Sequence, residues 1–210
     1  MAVERGPSPA DPERTFIETA RRAQIVAAAI DTIAEVGYAH ASLGRIAKRI
    51  GISRGLISYH FEGKDDLMKE VIGEVLAQAR AYMEPRILAE STGTGMVRVY
   101  IESNLAFMRE HRNYLIAVVE ILRHRVAAEG LRGVRGDRPQ VAARPLVDLL
   151  ARFQAAGELR EDFDPRAMAI AIRAAIDAVP PLLSVDAEFD IDAYAKEITG
   201  VFERATRIDK

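Results

Sequence analysis

Apolar residues recur along this chain at intervals of three and four, the spacing of one buried helical face. Val26, Ala29, Ile30 and Ile33 set the pattern first. Gly37 is placed to stop that helix, and Ser42 to cap a short second one over 43–50. Gly51 breaks the second helix, and Ser53 can cap a third reaching about His60. After Gly63, the acids Asp65 and Asp66 suit the positive N-terminus of a long fourth helix. The pattern carries it to about Met83, with Pro85 ending or kinking it. Residues 91–95 read as a loop. The next helix, over 95–111, is apolar nearly all round through Met96, Val99, Ile101, Leu105 and Phe107, which predicts an internal position. A sixth helix runs from Tyr114 to about Ala128, and Gly130, Gly133 and Gly136 mark a mobile, basic connector. A seventh stops at Gly157, with Pro145 as a kink or as its true start. Asp164 and Pro165 pair as cap and first residue of an eighth, and a ninth spans about 190–207. No strand-like alternation interrupts these patterns, so the expected fold class is all-α.

Charge changes the picture at one end. The chain carries a net charge of -2. Between Arg14 and Lys64, however, eight Lys/Arg stand against four acids, a local excess of +4 that leaves -6 for the remainder. Such asymmetry suits one end that attracts phosphate and a larger body that does not. The chain has 210 residues and no cysteine, which excludes disulfides and thiolate metal sites. Unbroken apolar stretches such as 25–30 and 167–172 fall far short of the ~18 residues a membrane span requires. A cytoplasmic protein without membrane contact is expected. Residues 1–14 read as a flexible tail, 15–66 as one domain and 67–210 as a second.

The strongest motif is Ser42 to Lys64, SLGRIAKRIGISRGLISYHFEGK. Ile46, Ile50, Ile52 and Ile57 form a small apolar core between two short helices. Ala47 is small where they approach, and Gly51 sits where the turn needs a left-handed backbone. These are the requirements of a helix-turn-helix, whose second helix projects outward to meet DNA. That helix is expected to expose Ser53, Arg54, Gly55, Ser58, Tyr59 and His60. Gly55 permits close backbone approach, hydroxyls and cations hold phosphates, and Arg54 is the candidate for a base edge. Arg45 on the preceding helix adds a cation to the same set.

Within Arg21 to Leu67 the run Ser-Leu-x-x-Ile-Ala-x-x-x-Gly-Ile-Ser and the ending Leu-Ile-Ser-Tyr-His-Phe-x-x-Lys-x-x-Leu closely resemble the tetracycline-repressor (TetR) family. Further on, only the helix count and the segment from Gly157-Glu158-Leu159-Arg160 to Asp164-Pro165 match. The resemblance implies a homodimer of nine or ten helices per chain, with DNA contacts from the second and third helices and ligand control through the fourth. It implies phosphate contacts from Ser42, Tyr59 and Lys64, a groove-facing set of Arg54, Gly55, Ser58 and His60, and a core role for Phe61. It also implies a palindromic operator and a repressor released by a small-molecule effector.

Candidates in the body are open to two readings each. Tyr100, Phe107, Met108, Tyr114 and Phe153 line a ligand cavity or pack as core. Arg173 interrupts an apolar stretch, one turn before Asp177; it serves a pocket or dimer interface, or forms an internal i, i+4 pair. Ile172 and Ile176 on the eighth helix, with Ile198 and Phe202 on the ninth, are expected at a four-helix dimer interface, or else pack within one subunit. His40, His60, His111 and His124 lack metal-ligand spacing, and no metal or cofactor is expected. Gly51-Ile52-Ser53-Arg54-Gly55 matches a hydrolase nucleophile pattern, but that motif needs a preceding strand where this chain predicts a helix. An enzyme is therefore not expected. A non-specific DNA architectural protein is the other rival.

Overall fold

The computed structural model describes residues 12–129, 138–186 and 188–208. The chain divides into two compact units, Met1–Ile72 and Gly73–Lys210. Among the described residues are ten helices and no strand. The first unit holds α1 (Pro12–His40), α2 (Leu43–Arg49), α3 (Arg54–His60) and the start of α4 (Lys64–Leu88). In the second lie the rest of α4, α5 (Gly93–Glu110), α6 (Arg112–Glu129), α7 (Arg138–Ala155), α8 (Pro165–Asp177), α9 (Val179–Val185) and α10 (Ile191–Thr206).

The apolar stripe of α1 is buried as its spacing requires. Ile25, Val26, Ala29, Ile30 and Ile33 are buried, and so are Ile46, Ile57, Phe61, Leu67 and Met68 of the same unit. Each such side chain contributes roughly 1.5–3 kcal/mol by leaving water. Gly37 has φ 76°, so the regular helix breaks there and a short turn continues to His40. Helix α1 begins at Pro12, so residues 12–14 of the expected tail are helical.

Ten residues of α5 are buried, and Met96, Val97, Ile101 and Leu105 anchor the core of the second unit. That core continues through Leu146 and Leu150 of α7 and Ala169, Ile172 and Ile176 of α8. The Gly157–Pro165 junction is a packed corner. Gly157 (φ 70°) ends α7, and the Glu158 carboxylate accepts from the Gly93 amide at 2.9 Å. Leu159 is buried directly against Gly93, where any Cβ would strike it at 2.7 Å. Asp164 then caps α8 by accepting from the Arg166 amide at 3.0 Å.

Three boundaries differ from the sequence expectation. Helix α4 runs past Met83 to Leu88 with Pro85 inside it. Arg86 supports that turn, donating to the Tyr82 carbonyl while its guanidinium lies 3.8 Å from the Tyr82 ring centroid. Helix α5 starts two residues early because Thr92 caps it, accepting from the Gly95 amide at 3.1 Å. Helix α9 was not foreseen at all. Its prolines, 180 and 181, fall in the first turn, where a missing N–H costs nothing. Pro145 lies inside α7. The Gly130, Gly133 and Gly136 connector falls outside the described residues.

Candidate nucleic-acid interface

Two serines fix the geometry. The Ser42 hydroxyl accepts from the Arg45 amide at 3.2 Å and Ser53 accepts from the Leu56 amide at 3.1 Å, so each starts a short helix. Between them Gly51 has φ 68°, and the Ile52 amide donates to the Ala47 carbonyl at 3.0 Å, closing the turn. Ile46, Ala47 and Ile57 are buried at the crossing, with Ile50 and Ile52 half-buried. Phe61 is only 2% exposed and packs in the core.

Everything on the other face of α3 reaches solvent. Ser53, Arg54, Gly55, Ser58 and Tyr59 are exposed, and Tyr59 reaches 64%. His60 is half-buried; its carbonyl accepts from Arg22, whose guanidinium sits 4.4 Å from the Phe61 ring centroid. Ser42 and Arg45 are exposed on α2. Lys48, one turn after Arg45, is exposed as well and was not among the expected contacts; its i, i+3 spacing was the available signal. Arg49 is tied to Glu35 in an ion pair.

Two expected phosphate ligands already have partners. The Tyr59 hydroxyl lies 3.5 Å from the Glu18 carboxylate on α1. Lys64 donates to the Tyr38 carbonyl at 2.6 Å, and its ammonium lies 3.8 Å from the Tyr38 ring centroid. Burial pushes the Lys64 ammonium below the usual lysine value, against an opposing pull from Asp65. Neither partner was legible in the sequence, because both contacts join residues more than twenty apart.

In the second unit the expected cavity residues are mostly packed. Tyr100, Met108 and Phe153 belong to the buried core. Phe107 stacks with His111 at 4.5 Å, and His111 with Tyr114 at 5.2 Å. Arg173 donates to Asn104 at 3.0 Å and pairs with Asp177, so the internal i, i+4 reading describes it. Of the expected pocket set, only Met108 lines either of the two cavities described below. The dimer expectation needs correction at two residues. Ile172 and Ile176 are 0% exposed and belong to their own chain's core, which leaves nothing of them for a second copy. Ile198 and Phe202 pack, partly buried, on the same core.

A short exposed helix held by a glycine turn across a buried partner defines a helix-turn-helix protein, the class that docks such a helix in the DNA major groove. Residues 25–71 match the family model for bacterial regulatory proteins of the tetR family. It is 46% identical over 56 residues to the HTH-type transcriptional regulator BetI 1 of Chromohalobacter salexigens, covering 27% of this chain and 28% of that protein's length. To the fatty acid metabolism regulator protein of Bacillus subtilis it is 26% identical over 176 residues, or 83% of this chain and 90% of the relative. Among solved structures, FadR from Bacillus subtilis in complex with stearoyl-CoA superimposes with a TM-score of 0.69 at 24% identity. That likeness covers 86% of this chain and 96% of the other. No helix among the described residues is long and apolar enough to cross a membrane.

Proposed function

We propose that this protein is a sequence-specific transcriptional repressor that binds a palindromic operator as a homodimer and leaves it when a small molecule binds the second unit. The observation that carries the reading is the two-sided character of α3. Ile57 is buried while Ser53, Arg54, Gly55, Ser58 and Tyr59 stand in solvent. Hydroxyls and the Lys64 ammonium hold phosphates and set the register; Arg54 reads a guanine edge. Lys64 reaches a phosphate by giving up the Tyr38 carbonyl, and Tyr59 by giving up Glu18.

The dimer face lies one side round from the expected one. Helix α8 exposes Ala167, Ile170, Ala171 and Ala174, an i, i+3, i+4, i+7 stripe opposite its buried isoleucines, and its C-cap Ala178 is exposed as well. Helix α10 exposes Val201 at 46%. Helix pairs of this kind bury well against a symmetry mate. Effector control is a population shift between two arrangements that the ligand binds unequally. Helix α4 is the connecting element, because its residues belong to both units.

Selection of bound duplexes from a random library, followed by gel-shift titration, tests the reading. A repressor of this kind yields one palindrome, bound at least 10³-fold tighter than random sequence, an order taken from specific binders generally. Uniform affinity across sequences would make it an architectural DNA binder instead. Release by a ligand is tested by titrating acyl-CoAs first, since the Bacillus subtilis FadR structure holds stearoyl-CoA.

A further inference from the structure

A polar groove in the second unit, between α5 and α10, is not used by any of the machinery above. Arg98 pairs with Glu203 at one end and Arg109 with Asp192 at the other, so the two helices run antiparallel. An open cavity of about 420 Å³ lies along this seam. The end pairs neutralise each other. What remains is Glu102, Lys196 and Thr199, and neither Glu102 nor Lys196 forms an ion pair among the described residues.

Thr199 is the telling residue. Buried helical threonines normally give their hydroxyl to a carbonyl one turn back. Thr32 does so to Ala28 at 2.6 Å, and Thr206, on the same helix as Thr199, to Phe202 at 2.8 Å. Thr199 is only 4% exposed and lines the groove, yet its hydroxyl has no partner among the described residues. A buried hydroxyl left unpaired is costly, and it asks for a bonding partner. Glu102, by contrast, is exposed; the partial burial it has raises its carboxyl, Arg98 pulls it down and Glu203 pushes it further up.

Beyond the Arg109–Asp192 pair, which both cavities share, lies a second pocket of about 230 Å³. Met108, Leu183, Phe189 and Ile191 supply its apolar wall, and Arg109, Arg112, Asp190 and Asp192 complete its lining. A charged seat with one free carboxylate, one free ammonium and one unpaired hydroxyl thus adjoins an apolar recess.

We propose that the groove binds a small amphipathic zwitterion of amino-acid type. Its ammonium pairs with Glu102, its carboxylate with Lys196 and the Thr199 hydroxyl, and its apolar side chain enters the recess beside Phe189.

Calorimetric titration of the full chain tests this with L-leucine and L-phenylalanine. Glycine, 3-methylbutylamine and 4-methylpentanoate are controls lacking the side chain, the carboxylate and the ammonium. One amino acid per chain is expected to saturate, at least tenfold tighter than each control. Glu102→Gln and Lys196→Met should each weaken it at least tenfold. Thr199→Val should weaken it about threefold while the melting temperature of the free protein holds or rises, which a purely structural threonine would not do. The proposal falls if neither amino acid saturates, if a singly charged control binds as well, or if Glu102→Gln leaves the affinity unchanged. Binding is read without DNA, so this result stands apart from operator recognition.

Discussion

Arg54 and Lys64 carry different parts of one interface, and the difference is measurable. Arg54 is exposed near the N-terminal end of α3, where a guanidinium can meet a guanine edge with two hydrogen bonds. Arg54→Ala should cost about 1–3 kcal/mol on the selected operator and relax preference at one base pair. Lys64 supplies charge rather than sequence information. Lys64→Met should weaken operator and random DNA alike and reduce the slope of log affinity against log salt by about one. A second consequence follows from its burial. The folded chain holds this ammonium below the usual lysine value, so the unfolded chain binds the proton more tightly. Stability from this group therefore rises with pH in the alkaline range just below the ordinary lysine value. That rise should be missing in Lys64→Met, read as the urea midpoint across that range. Sequence revealed the charge of Lys64 and its place after Gly63, but not the Tyr38 carbonyl that holds it, because that contact crosses between α1 and α4.

At the scale of elements, caps were the most legible features. Ser42, Ser53 and Asp164 each accept from an amide two or three residues on, as their positions before apolar-periodic runs foretold, and Asp190 does the same at the start of α10. Asp164→Ala should thus cost about 0.5–2 kcal/mol of stability, seen as a lowered urea midpoint, with operator affinity per folded protein unchanged. Proline was less legible. It reads as a stop, yet Pro85 lies within the last turn of α4 and the two prolines of α9 lie in its first. In α9 the prolines cost no hydrogen bond, because first-turn N–H groups have no intrahelical acceptor; Pro85 costs α4 only the bond to the Ala81 carbonyl, three residues before the helix ends. Least legible was which apolar face meets which neighbour. Ile170 and Ile172 are two residues apart on α8, and periodicity marks both as apolar. Yet Ile172 is 0% exposed and Ile170 is 41% exposed. Spacing reveals a stripe; only the packing of α5, α7 and α8 decides which side of it is already covered. Tyr100 and Phe107 of α5 are likewise apolar-periodic residues whose burial only the packing reveals.

For the whole molecule the decisive question is whether two copies act together. A palindrome demands two recognition helices one helical turn of DNA apart, about 34 Å, which a single chain cannot provide. Ile170 and Val201 are the large apolar residues left exposed on α8 and α10, so a charge at either should part the copies without disturbing the core. Ile170→Glu and Val201→Glu should sediment as monomers with an unchanged melting profile at high dilution. Their operator affinity should drop about 10²–10⁴-fold, because the second half-site is no longer held at high effective concentration. Their affinity for an isolated half-site should match that of the parent chain. Ile172→Glu is the contrasting variant: it places an unpaired charge in the core and should unfold the second unit outright. If Ile170→Glu stays dimeric and binds the operator normally, the two copies meet on another face and the α8 stripe has no part in pairing.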